Sequence, residues 1–89
     1  MGFRFLYVTK SVFKDMHEQF RHMLVQARKK AGLTQVQLAE LLLRPQSFVS
    51  KVERGERRLD VIEFFEVAEK IGFDPFAFLR ALKQAGKRQ

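Results

Sequence analysis

A chain of 89 residues, 46% of them apolar, holds one hydrophobic core without staples and cannot hold two. It has no cysteine, which excludes disulfides, thiolate metal sites and a secreted disulfide-built scaffold; a reducing cytoplasm fits. Its formal net charge of +7, from 17 Lys and Arg against 10 Asp and Glu, points to an anionic partner, nucleic acid ahead of a membrane surface.

Residues 3–8 alternate, with Phe3, Phe5 and Tyr7 on one side and Arg4, Leu6 and Val8 on the other, which predicts a short strand or arm over residues 1–10. This apolar start is too short to span a membrane and lacks the layout of a signal peptide, so no targeting segment and no membrane partner are expected. A lone strand leaves its backbone groups unpaired. If it forms, it pairs with another chain.

Ser11 is a candidate helix cap. Phe13, Met16, Phe20, Met23, Leu24, Ala27 and Ala31 then follow at spacings of three and four, the stripe of a helix that either runs long or breaks near residues 17–20. Gly32 ends it and Leu33 supplies the accompanying apolar contact. Thr34 and Gln37 form a capping box for a short helix carrying Leu38, Ala39 and Leu42. Arg44-Pro45 stops that helix, and Pro45 opens the next, from about Gln46 to Glu53, with Gly55 as its end. Asp60 with Glu63 starts a fourth helix through Ile71, closed by Gly72. Asp74-Pro75 starts a fifth, and residues 86–89 read as a frayed tail. The expected architecture is an all-α five-helix bundle over residues 11–85, preceded by the strand or arm.

Within it, residues 34–55 form two short helices joined by a tight turn, the layout of a helix-turn-helix. At about 100° per residue, Gln46, Ser47, Ser50, Lys51 and Arg54 share one face of the second motif helix. Phe48, Val49 and Val52 take the opposite, docking face. Glutamine matches adenine, lysine matches guanine and serine takes a base or a phosphate, so Gln46, Ser47, Ser50 and Lys51 are the candidate base readers in a major groove. Arg54, Arg57 and Arg58 follow the helix where phosphates would lie. Thr34 and Gln35 sit at a helix amino end, where free N–H groups and the dipole favour a phosphate. Arg44, in the turn, is a further phosphate candidate. Asp60, Glu63, Glu66 and Glu69 recur every three residues and read as an acidic strip facing away from DNA.

The run from Gln26 to Gln35 (QARKKAGLTQ), then Leu38-Ala39, then Pro45 to Lys51 (PQSFVSK), then Glu53-Arg54-Gly55, resembles the Xre family of phage-repressor and Cro-like regulators over roughly residues 20–82. The resemblance implies a lambda-repressor-like helix-turn-helix. It implies that Gln35 meets the DNA backbone, that Gln46, Ser47 and Lys51 face bases, and that Arg28 and Glu53 form an internal salt bridge. One departure stands in the turn, where the family usually has Gly and a small apolar residue and this chain has Leu43 and Arg44. A left-handed residue other than glycine costs roughly 1 kcal/mol, so a rearranged turn is expected.

Other patterns carry less. His17 and His22 are five apart on different sides of a helix with no third ligand at helical spacing, so no metal site and no cofactor are expected. Ser11-Val12-Phe13-Lys14 matches the S-x-x-K of some acyl-transfer enzymes, but their other motifs are missing, and no enzyme is expected. Most phenylalanines, Phe20, Phe64 and Phe65 among them, read as core. The fifth helix is apolar over so wide an arc that it buries two faces, which assigns Phe76, Phe78, Leu79 and Leu82 to a homodimer interface, with Phe3, Phe5 and Tyr7 as an alternative pairing surface. A dimer also doubles the readout of one short helix on double-stranded DNA. The sequence therefore reads as a cytoplasmic dimeric transcription regulator. The alternative is a protein-binding module, because the same fold serves in antitoxins of the resembling families, where the aromatic amino terminus would neutralise a partner protein.

Overall fold

The computed structural model describes the backbone of residues 2–87 and the side chains of residues 13–86. Five helices follow in order: α1 (Gly2–Lys30), α2 (Gln35–Leu42), α3 (Gln46–Arg54), α4 (Val61–Ile71) and α5 (Pro75–Lys87). The all-α expectation holds, but the strand does not. Residues 3–8 lie inside α1, which runs without a break from Gly2 past Ser11 and past residues 17–20. A lone strand would leave its N–H and C=O groups without partners, whereas a helix satisfies them within the segment. The boundary expected between residues 10 and 11 thus falls within one helix. The side chains of Phe3, Phe5 and Tyr7 lie outside the described residues.

α1 packs against α5 and α3, and α2 packs against α3 and α4. The core draws Leu24 from α1, Leu38, Ala39 and Leu42 from α2, Phe48, Val49 and Val52 from α3, Phe64 and Val67 from α4, and Phe78 from α5. An aromatic cluster anchors the α1–α4–α5 side. Phe20 meets Phe64 at 5.5 Å and Phe78 edge-on at 5.6 Å between ring centroids, and Phe73 stacks on Phe78 at 4.9 Å. Such ring pairs add about 0.5–1.5 kcal/mol each beyond the area they bury.

This packing corrects three expectations. Phe78 and Leu82 are buried in the chain's own core and are not available to a partner; Phe76 and Leu79 are exposed. Phe65, expected in the core, is partly exposed, with its ring between Phe64 and Phe76. Gly86 does not fray: it is buried within α5 so close to α1 that a Cβ there would lie 2.9 Å from Met16 Cγ.

Local signals set the helix ends. Thr34 Oγ1 accepts from the Gln37 amide and Gln37 Oε1 accepts from the Thr34 amide, closing the capping box on α2. Asp60 and Glu63 do the same for α4. Pro45 is the extended residue before α3 rather than its first helical residue, and its carbonyl takes the Phe48 amide.

The α2–α3 turn ends α2 on a left-handed residue that is not glycine. Leu43 adopts the left-handed conformation (φ 57°, ψ 43°), donating to Glu40 O while the Arg44 amide donates to Ala39 O. This is the paired-bond helix ending that glycine usually occupies. Two backbone bonds hold the turn, and the Leu43 side chain is 92% exposed.

Candidate nucleic-acid interface

The turn and the core together decide which way α3 faces. Phe48, Val49 and Val52 are buried, which turns Gln46, Ser47, Lys51 and Arg54 outward, all exposed. Ser50 is half-buried, and its hydroxyl donates back to the Ser47 carbonyl at 3.3 Å. The outward face therefore offers amide, hydroxyl and ammonium groups and no carboxylate.

The carboxylate of Glu53, on the flank of α3, is the centre of a closed network. Arg28 reaches it from α1 with two parallel bonds, Nε to Oε2 at 2.7 Å and Nη2 to Oε1 at 3.0 Å, and donates its Nη1 to Leu33 O at 2.8 Å. Both side chains are 9% exposed. The same Oε1 accepts from Gln35 Nε2 at 2.8 Å, and Gln35 Oε1 in turn accepts from Gln46 Nε2 at 3.4 Å. The network thus runs from α1 through α3 and α2 back to the first residue of α3. Gln46 keeps its carbonyl oxygen and its second N–H for a ligand. Arg21 adds a bond to the Glu53 carbonyl at 3.2 Å and lies against Gly55, the left-handed end of α3.

A second carboxylate, Glu63, gathers the other side. It accepts from Arg57 Nη1 and Nη2 at 2.9 Å each, from the Asp60 amide at 3.0 Å, and pairs with Arg44 Nη2 at 3.4 Å. Both guanidinium groups lie over the Phe48 ring, Arg44 at 4.3 Å and Arg57 at 4.7 Å from its centroid. The Arg57 bonds first, and the Asp60 amide next, hold the Glu63 carboxyl down at about 2 against an ordinary 4.5. Sequence reasoning placed Glu63 on an outward acidic strip. Its side chain is only 13% exposed and belongs to this cluster.

The phosphate candidates therefore separate. The Thr34 hydroxyl is spent on its cap and Gln35 on Glu53 and Gln46. Arg57 has its fork on Glu63, and Arg54 has its own on Glu56, Nε to Oε2 at 2.8 Å, in an exposed pair. Arg44 is half-buried, stacked and weakly paired. Among the described residues no carboxylate pairs with Arg58 or Lys51. The role of Phe48 as a platform for two arginines, and of Glu63 as their common partner, was missed. The only sequence signal was an aromatic residue four positions after Arg44; Arg57 and Glu63 meet across a loop.

Two short helices at a tight turn, the second docked by one face and presenting an acid-free polar face, define a helix-turn-helix protein of the DNA-binding class. The chain belongs to the XRE family. The helix-turn-helix family model HTH_3 matches residues 24–78. An XRE-family like protein from Pseudomonas syringae pv. tomato str. DC3000 is similar in sequence and fold, with 48% identity, a TM-score of 0.82, and coverage of 86% of this chain and 94% of that one. No curated protein matches the chain. Among the described residues, no helix is long and apolar enough to cross a membrane.

Proposed function

We propose that this protein is a sequence-specific transcription regulator that binds double-stranded DNA as a homodimer and represses, in the manner of a prophage controller, by occupying a promoter. The acid-free outward face of α3 carries the reading. Gln46, with one N–H held by Gln35 and the rest of its amide free, is set for the two-point contact that adenine offers. Lys51 reads guanine, Ser47 a neighbouring base or phosphate, and Ser50 fills in at the flank. Lys51 and Arg58 have no carboxylate partner among the described residues. Arg58, in the loop after α3, supplies backbone affinity, joined by Arg44, by Arg54 once phosphate displaces its exposed Glu56 partner, and by the free backbone N–H groups at the amino end of α2, around Gln35. Exposed Phe76 and Leu79 support the dimer. The alternative remains a protein-binding module, although the aromatic amino-terminal segment it invokes is the start of helix α1 rather than an edge strand.

A fluorescence titration against a duplex from the protein's own promoter and against a random duplex, at two salt concentrations, tests this. Tight, promoter-preferring, salt-sensitive binding supports a specific regulator; weak and equal binding to both counts against it. Lys51→Ala should relax preference at one base position at a cost of about 1–3 kcal/mol. Arg58→Ala should weaken binding to both duplexes alike and lower the salt slope by about one. An unchanged base preference in Lys51→Ala would show that the α3 face is misassigned.

A further inference from the structure

α1, the loop after α3 and α5 border a groove of about 720 Å³. That volume falls in the range of small-molecule sites, about 300–1,000 Å³. Its floor is apolar: Val52 and Leu82 are buried, and Met16, Phe20 and Leu59 are half-buried. Its rim is basic. Lys14, His17 and Arg21 line it from α1, at spacings of three and four that put them on one face of the helix, and Arg54 and Arg58 line it from the end of α3 and the loop beyond. Glu18 is the one carboxylate among the described lining residues. Arg21 is the cation best placed for an anion. It is half-buried, its Nη1 donates to Glu53 O at 3.2 Å, and it lies against Gly55, where a Cβ would come within 2.9 Å of its Nε. The guanidinium is thereby anchored while most of its N–H groups stay available. Among the described residues no carboxylate pairs with Arg21, Lys14 or Arg58.

We infer that this groove is a binding site for a small amphipathic acid, its apolar body on the floor of Met16, Phe20 and Leu59 and its carboxylate on Arg21, flanked by Lys14 and Arg58. An arginine fork matches a carboxylate in shape and in charge. Other occupants leave part of the groove unmatched. An inorganic anion leaves the floor wet. A neutral apolar molecule covers a half-buried guanidinium without supplying a counter-charge. A DNA backbone brings phosphates and nothing for the floor. The groove lies at the Arg54 end of α3, whereas Gln46 begins that helix, so the acid and the base readers occupy different ends. Arg58 is shared with the proposed phosphate contacts, but the site stands without the DNA reading, and its test uses no DNA.

Amide correlation spectra of the full nitrogen-15-labelled chain, titrated with octanoate below its micelle concentration, test the site. Octan-1-ol carries the same apolar body without the charge, and acetate the same head without the body. Octanoate should give saturable shifts gathered at the amides of residues 14–21 and 54–59, and should bind at least about tenfold more tightly than either control, because only it meets both the floor and the guanidinium. Arg21→Gln should weaken octanoate about tenfold, and Lys14→Glu, at an exposed rim position, about threefold. Circular dichroism checks that each variant is folded; if Arg21→Gln is not, Lys14→Glu decides. Shifts that never saturate or that gather elsewhere overturn the site. Octan-1-ol or acetate binding as tightly as octanoate overturns the ligand class, and octanoate affinity that no folded variant lowers overturns the placing of the carboxylate on this rim.

Discussion

Glu53 and Glu63 each gather basic or amide side chains around α3, but one network is closed and the other open. Glu53 and Arg28 are both nearly inaccessible, tied by two parallel bonds, and the remaining capacity of Glu53 holds Gln35. Glu63 is nearly as covered, yet its partners Arg57 and Arg44 are 40% and 35% exposed. Removing one member of the closed set strands a charge in a low-dielectric site; removing one member of the open set leaves arginines that water can solvate. The first network orients α3 as part of the fold. The second steadies two cations at the rim, over the ring of Phe48.

Glu53→Ala should have the largest effect, a loss of about 3–5 kcal/mol in urea unfolding, because Arg28 is left buried without its counter-charge. A loss below about 1 kcal/mol would mean that the two networks are equivalent and the contrast false. Glu63→Gln should cost about 1–2 kcal/mol at neutral pH, less than a fully enclosed carboxylate would, since solvent screens its exposed partners.

The same substitution sharpens the comparison through pH. The Glu63 carboxyl sits near 2 in the folded chain against 4.5 ordinarily, so its contribution is complete above about 4.5 and is lost as pH falls toward 2. Unfolding curves across that window should fall less steeply with acid in Glu63→Gln than in the wild type; parallel curves would show that Glu63 does not carry the acid limb. The smallest effect concerns the turn between the networks. Leu43→Gly should raise stability by about 1 kcal/mol with an unchanged denaturant slope, because it relieves a left-handed leucine whose side chain contributes little packing. A loss of stability would show that the leucine is not strained there.

Much of the site could be read from neighbouring residues. The faces of α3 follow from a helical repeat, and the capping boxes at Thr34 and Asp60 from residues three apart. The Arg28–Glu53 bridge came only through the family resemblance, since nothing in the spacing of two residues 25 apart requires it. The Glu63 cluster had no such help. Capping logic alone explains a glutamate three residues after Asp60, so its second role, holding Arg57 and Arg44 over Phe48, was invisible.

The amino end shows the limit from the other side. An alternation over six residues outweighed the helical stripe that follows it, yet continuous backbone bonding carried α1 through to Gly2. Likewise the apolar arc of α5 spans one buried and one exposed face, and the sequence could not tell them apart. Which of Phe76, Phe78, Leu79 and Leu82 points inward depends on where α1 and α4 lie.

By itself, the sequence determined the helices from α2 to α5, their caps, the motif between residues 34 and 55, the acid-free face of α3 and the family, because these depend on side chains within a turn or two of each other. Only the tertiary structure decided that Gly86 and Phe78 are interior while Phe65 is at the surface, and which cations Glu63 gathers. Those outcomes depend on which surfaces meet across loops. A local pattern records what each side chain can do but not what it finally faces.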